Sequence, residues 1–390
     1  MFITLGLAAS LMGPSLTDLR ERVGVSTGAI GVLFPCSSIG YVAGAVLGGK
    51  GYDRRLGHRL VMASLVLTAL AMVVVAWAPS LLWLGVGSVL VGFFSSGVDL
   101  GGNTLLVWSR GRDAGPLLNA LHLCFGIGAF LAPLFVNRAR AWGHGVGWAW
   151  VAAAIPTMVV AAWVITRATP EPVDVEGHDR GETAPSWLLA LLMVFFVLYV
   201  GLEIGFAGWV YTYAQEIHLG GPNVPALLTA TFWGSFSVGR LTSVWLARRV
   251  GPNTLLSGSC VLALGAIALL AAGHRVSAIV WISTVLFGFG TAPQFPTMIA
   301  FAERHIPLTG SATSWFIVGA GLGGLSMPWL IGTLLDRWGA VAMPRAVLVI
   351  AAGTLAWYLL VHHMLVTRTA GHGERAVAAP VSGLPDPPLG

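Results

Sequence analysis

Four ionisable side chains interrupt stretches that are otherwise apolar or small. Asp99 falls within VGFFSSGVDLGGNTLL, His122 within LNALHLCFGIGAF, Glu203 within VLYVGLEIGFAGW and Arg240 within WGSFSVGRLTSVW. An ionisable group inside a membrane costs at least about 2.5–3.5 kcal/mol, so each needs a reason to be there. Desolvation favours the neutral carboxyl, which lets Asp99 or Glu203 load and release a proton. Ionised, either could give oxygen ligands to Na+, with several further oxygens nearby. Both therefore read as coupling-ion residues. Each also has a structural reading: Glu203 as half of an ion pair with Arg240, and Asp99 as hydrogen-bonded to Asn103 or His122.

Asn103 follows Asp99 by four residues and Asn119 precedes His122 by three, spacings that put each pair on one helix face. Fixed amides and carboxylates hold hydroxyl-rich solutes, and an aromatic ring stacks on a sugar's C–H face. On that chemistry Asp99, Asn103, Asn119, His122 and Gln294 are candidate polar ligands for a small solute. Trp209, Tyr213 and Trp233 are candidate stacking platforms. The bland reading stands beside this one, since a lone histidine is more often a packing residue. Most of the sixteen tryptophans belong at membrane interfaces as anchors.

The elements that must carry these residues follow from composition. Of 390 residues 56% are hydrophobic and 9% charged, with a mean hydropathy of +0.81. Soluble domains carry roughly 25% charged residues, so the chain lacks the polar surface of a globular protein. Cys36, Cys124 and Cys260 all fall in apolar runs and read as packing residues, which excludes a disulfide scaffold. The net charge of +5 is spread along the chain and forms no nucleic-acid patch. No nucleophile elbow, metalloprotease helix, Cys-x-x-Cys or nucleotide-binding loop is present, so the sequence implies no enzyme, cofactor, metal site or primary pump.

A helix needs about 20 apolar residues to cross the hydrocarbon layer. Twelve such runs lie near 1–17, 28–49, 60–78, 81–108, 116–136, 146–166, 186–214, 224–247, 254–273, 277–303, 310–334 and 344–366. The first begins almost inside its span, so its inner end is short or the true start lies upstream. The runs are far longer than barrel strands. The sequence therefore predicts an all-α membrane protein of twelve transmembrane helices. With both termini cytoplasmic, the inner side holds 14 of the 21 Lys and Arg residues, the bias expected for that orientation in a cell inner membrane. Residues 167–185 carry three prolines and five acidic residues and read as a cytoplasmic linker between two bundles, 1–166 and 186–366. Residues 367–390, rich in Pro, Gly and Ala, read as a disordered cytoplasmic tail.

The two halves rhyme. VGFFSSGVDLGGNTLL in the fourth span answers FGFGTAPQFPTMIAF in the tenth, and FGIGAFLAPLF in the fifth answers VGAGLGGLSMPWLIG in the eleventh. Repeated halves place a solute site near mid-depth, between them. Six plus six spans with an acidic linker resembles the major facilitator superfamily. So does Gly49-Lys50-Gly51-Tyr52-Asp53-Arg54-Arg55-Leu56-Gly57-His58-Arg59, although one extra residue separates Asp53 from Gly57. The resemblance implies a major facilitator fold of two pseudo-symmetric six-helix bundles. It also implies a latch between the halves on the cytoplasmic side, through Gly49, Asp53, Arg54 and Gly57; a solvated turn is the alternative. A second GTLLDRWG, Gly332 to Gly339, falls on the outer side and reads as a helix stop.

Asp99-Leu100-Gly101-Gly102-Asn103, Asn119-Ala120-Leu121-His122, Tyr199 through Trp209 with Tyr213, Phe232-Trp233-Gly234 and Gly239-Arg240-Leu241 together resemble a narrower branch. It is the sodium-dependent glucose transporters and their fucose-permease-like bacterial relatives. Gly40, Gly44 and Gly48 recur every four residues, as do Gly319 and Gly323, and such faces allow close approach and sliding. In the superfamily the two spans that carry them face each other across the halves. Taken together, the chain reads as a monomeric secondary active transporter. It would move a small polar solute, foremost a monosaccharide, by alternating access coupled to H+ or Na+. Its rivals are an exporter of hydrophobic drugs or lipids with the same fold, and a non-transporting membrane sensor.

Overall fold

In a computed structural model, which describes residues 1–53, 57–110, 115–170, 185–304 and 310–377, nearly every described residue is helical. The helices are long because hydrocarbon offers no partner to a backbone N–H or C=O, so each segment must satisfy its own. They run α1 (Phe2–Ser10), α2 (Met12–Val23), α3 (Thr27–Ile30), α4 (Leu33–Asp53), α5 (Gly57–Trp77), α6 (Leu81–Arg110), α7 (Gly115–Ala141) and α8 (Gly147–Val164). Then follow α9 (Ser186–Glu216), α10 (Val224–Leu246), α11 (Pro252–Gly273), α12 (Ser277–Thr291), α13 (Gln294–Glu303), α14 (Gly310–Trp338) and α15 (Ala342–Val377). Three spans are broken in two: α1–α2 at Leu11, α3–α4 at Gly31–Val32, and α12–α13 at Ala292–Pro293, where proline removes a backbone donor.

Among the described residues, eleven segments are long and apolar enough to cross a membrane. The twelfth, α10, is as long at 23 residues but dilutes its apolar content with Arg240 and six Ser and Thr side chains. Buried hydroxyls are satisfied locally: Thr68, Ser88, Thr157, Thr284 and Thr354 each donate to the carbonyl one turn back, at 2.7 to 2.9 Å. Trp77, Trp142, Trp148, Trp163, Trp187, Trp245 and Trp338 are exposed near helix ends, as an interfacial belt requires. Guanidinium groups of Arg138, Arg167 and Arg249 lie over the rings of Trp142, Trp163 and Trp245 at 4.3, 4.5 and 4.0 Å.

Packing repeats between the halves. In the first half α4 packs on α6, α5 on α8 and α6, and α1 on α7; in the second α10 packs on α12, α11 on α15 and α12, and α9 on α14. The halves meet along three seams: α7 with α10, α4 with α14, and α2 with α9. The glycine stripes serve the bundles and not the seams, a correction to the expectation. A Cβ at Gly40 or Gly44 would collide with the carbonyls of Val89 or Phe93 on α6, and one at Gly319 or Gly323 with those of Met193 or Val197 on α9. Where α4 and α14 do meet, the contacts are Gly321 against Val42 and Gly324 against Ser38.

A second difference concerns the C-terminus. Helix α15 continues to Val377, past the expected boundary at 366. The backbone ladder propagates into the polar stretch TRTAGHGERAV because, once a helix is nucleated, each added residue gains a hydrogen bond.

Candidate functional site

Asp99 stands on α6 with both carboxylate oxygens occupied. The Tyr41 hydroxyl of α4 donates to Oδ2, and the Asn103 amide donates to Oδ1 at 3.0 Å and to the Asp99 carbonyl at 2.9 Å. Tyr41 reaches Asp99 because Gly40 and Gly44 bring α4 backbone to backbone with α6. Asp99 and Asn103 are half-buried. Glu203 on α9 is 9% exposed, and its Oε2 accepts from the hydroxyl of Tyr199, one turn earlier on the same helix. Each half thus offers one carboxylate at mid-span, steadied by a phenol.

His122 of α7 and Arg240 of α10 stand on two helices that meet at a seam between the halves, within electrostatic reach of the acids. The charges of Arg240 and Asp99 both act on His122, and that of Arg240 also acts on Glu203 and Tyr199. His122 is exposed and its ring meets Phe2 edge-on at 5.9 Å. The Arg240 guanidinium lies 4.6 Å from the Phe236 ring centroid. Among the described residues the contact ion pairs are Arg20–Glu21 and Arg140–Asp18, so Arg240 has no carboxylate in direct contact. The pairing considered for Glu203 and Arg240 is therefore longer-range, and Asp99 is bonded to Asn103.

The other expected ligands lie elsewhere. Gln294 is fully buried at the α12–α13 break, where its amide donates to the Gly290 and Ser259 carbonyls at 3.2 and 3.4 Å. Its amide nitrogen satisfies backbone inside its own half, while its Oε1 is buried without a partner among the described residues. Trp209 is fully buried, its indole N–H donating to the Pro328 carbonyl at 2.7 Å and its ring 5.9 Å from Phe34. It seals the seam between α9, α14 and the first half. Tyr213 is buried with a hydroxyl that has no partner among the described residues. Trp233 comes nearest, meeting Phe125 of α7 edge-on at 6.3 Å, one helical turn from His122. The side chain of Asn119 lies outside the described residues. So do those of Gly49 and Asp53 and all of Arg54, and with them the cytoplasmic latch; Gly57 is a left-handed turn, φ +45°, packed against Thr169.

At the end of the bundle away from Met1 the halves are locked together. Gly13 lies against the Ala207 and Gly208 carbonyls so closely that a Cβ would sit 3.0 and 2.9 Å from them. Thr17 donates to Gln215 at 2.8 Å. Arg140 of α7 donates to Asp18 at 2.6 Å and to the Tyr211 hydroxyl of the opposite half. Asp336 of GTLLDRWG accepts from the Thr27 backbone N–H at 3.1 Å, at the first turn of α3, while Arg20 donates to the Thr27 hydroxyl at 2.7 Å. The expected helix stop is present, α14 ending at Trp338 before Gly339 at φ +71°, and Asp336 also ties the halves, because the start of α3 offers unpaired N–H groups that a carboxylate can cap.

Sequence reasoning missed Tyr41, Tyr199 and the Asp18–Arg140–Tyr211 set as partners. Only the four-residue spacing of Tyr199 and Glu203 carried a signal. Residues 1–328 match the profile of the Major Facilitator Superfamily. Sodium-dependent glucose transporter 1A of Mus musculus is 27% identical over 379 residues, covering 86% of this chain and 88% of the relative. The inward-facing, occupied structure of a bacterial homolog of the human lysosomal transporter Spinster superposes with a TM-score of 0.75, at 12% identity, over 94% of this chain and 96% of the other. The nucleoside transporter NupG superposes with a TM-score of 0.71, at 14% identity, over 93% and 96%.

Proposed function

The chain belongs to the major facilitator superfamily, and on that premise we propose that it moves a monosaccharide across the cell inner membrane together with Na+. The observation that carries this reading is the pair of mid-span carboxylates, one in each half, each accepting from a tyrosine hydroxyl. Asp99 and Asn103 hold the solute's hydroxyls from the first half, beside the exposed His122. Glu203, with the Tyr199 hydroxyl at its side, takes the cation. Glucose is the first solute to test and Na+ the first cation, because relatives covering most of the chain carry both in their names.

The closed end, with Gly13, Arg140 and Asp336, is assigned to the outside, so this conformation faces inward. Both termini and the 167–185 linker are assigned to the cytoplasm, in line with the Lys and Arg distribution. A single chain holds both acids, so the monomer is the working unit. Purified protein in liposomes should accumulate labelled D-glucose above its equilibrium level under an inward Na+ gradient and not under an equal K+ gradient. Accumulation driven only by a pH gradient would replace Na+ by H+ at Glu203. An absence of glucose transport under any gradient would overturn the sugar assignment.

A further inference from the structure

Arg240 is a guanidinium with five N–H donors within the span α10, a group that ordinarily survives inside a membrane only when fully paired. Here it is not fully paired. Among the described residues its Nε is buried without a hydrogen-bond partner and neither carboxylate is in ion-pair contact with it, although its side chain reaches the Tyr199 hydroxyl that Glu203 also uses. Both acids have donors of their own, Tyr199 for Glu203 and Tyr41 with Asn103 for Asp99. Helix α10 packs along α9 with Phe232 against Phe206 at 5.0 Å, so Arg240, two turns on from Phe232, comes to the level of Tyr199 and Glu203, within electrostatic reach of that acid and of His122 in the other half. Arg240 also stands on α10, the helix that meets α7 in one of the three seams between the halves.

A fixed cation beside Glu203 opposes the binding of a second, mobile one. Without it the carboxylate would hold the ion too tightly to release it on each cycle. A guanidinium in hard contact would instead exclude the ion altogether. The intermediate placement, near enough to repel and too far to neutralise, suits an ion that must come and go. Resting on the cation-coupled reading above, we propose that Arg240 is a positioning residue for transport: a counter-charge that sets the cation affinity of Glu203 and so permits release.

The test uses the full chain in liposomes, with labelled D-glucose and labelled Na+ as probes. Arg240→Gln should lower the Na+ concentration for half-maximal uptake by about tenfold, the scale on which a neighbouring full charge displaces an ion equilibrium. Net uptake into Na+-free liposomes should fall by about tenfold, because slow Na+ release then limits the cycle. Glucose exchange at equal Na+ on both sides should persist, since it needs no release. Arg240→Lys, which keeps the charge, should leave the Na+ requirement within about threefold of wild type. The proposal is overturned if Arg240→Gln lowers uptake and exchange together with an unchanged Na+ requirement. Should that variant not fold, a tenfold change in Na+ requirement for Arg240→Lys overturns it equally. Wild-type uptake indifferent to Na+ would instead sink the coupling assignment itself.

Discussion

Asp99 and Glu203 each stand within a span, one in each half, and both accept a hydrogen bond from a tyrosine, but they are held in different ways. Glu203 takes its phenol from one turn earlier on its own helix and is buried. Its hydrogen-bond donor travels with α9, while the charge of Arg240 reaches it from α10. Asp99 takes one donor from α4 and another from Asn103, and it stays half-buried. Its cradle exists only because two helices touch at glycines. An acid in a drier setting, with its donor on its own helix, suits a change of ion occupancy, since binding there alters few other contacts. An acid in a wetter, multi-helix cradle suits a solute, whose hydroxyls can join an existing polar network.

The sharpest way to break this comparison is to neutralise each acid in turn. Glu203→Gln should abolish accumulation against a gradient while leaving counterflow exchange in place. Asp99→Asn should instead raise the glucose concentration for half-maximal transport by about tenfold or more, with Na+ stimulation retained, because charged hydrogen bonds are worth about 1.5–3 kcal/mol. Uptake and exchange measured side by side separate the two outcomes. If the two variants show the same profile, the division of labour between the halves is wrong.

The twelve spans were legible because their lengths and apolar content are dictated by the hydrocarbon layer. The Tyr199–Glu203 contact was legible too, because helical spacing alone puts residues four apart on one face. Tyr41 was not, since it lies 58 residues from Asp99 and meets it only through packing between helices. Trp209 and Gln294 illustrate the reverse error. A tryptophan or an amide in an apolar span can face a solute or satisfy a backbone carbonyl, and composition does not say which. Here Pro328 and the α12–α13 break supply the carbonyls, and both side chains turn to them. The helix stop at Gly339 was legible from its glycine, but the tie through Asp336 was not, since Thr27 lies 309 residues away and meets it only through packing between the halves.

That outer tie gives the next prediction in size, and it tests whether the two acids report one shared conformational equilibrium. Asp336→Asn removes the charge that caps the first turn of α3 while leaving an oxygen in place. A loss of about 1 kcal/mol would shift the balance between closed and open outer ends by roughly fivefold towards open. Spin labels at Glu21 and His218, both exposed and in opposite halves, should show a larger population of long distances. Unchanged distances would mean that the Gly13 and Arg140 contacts close this end without help from Asp336.

The smallest expected effect refines the assignment of Asp99. Asn103→Ala removes one donor to its carboxylate and leaves Tyr41 in place, in a setting open enough for water to replace the lost bond. A hydrogen bond of this kind is worth about 1 kcal/mol, so the glucose requirement should rise by roughly fivefold with the maximal rate little changed. The Na+ requirement should not move, because Asn103 has no counterpart beside Glu203, whose one side-chain donor is Tyr199. A shift in the Na+ requirement with an unchanged glucose requirement would place the cation at Asp99, and the roles of the two halves would have to be exchanged.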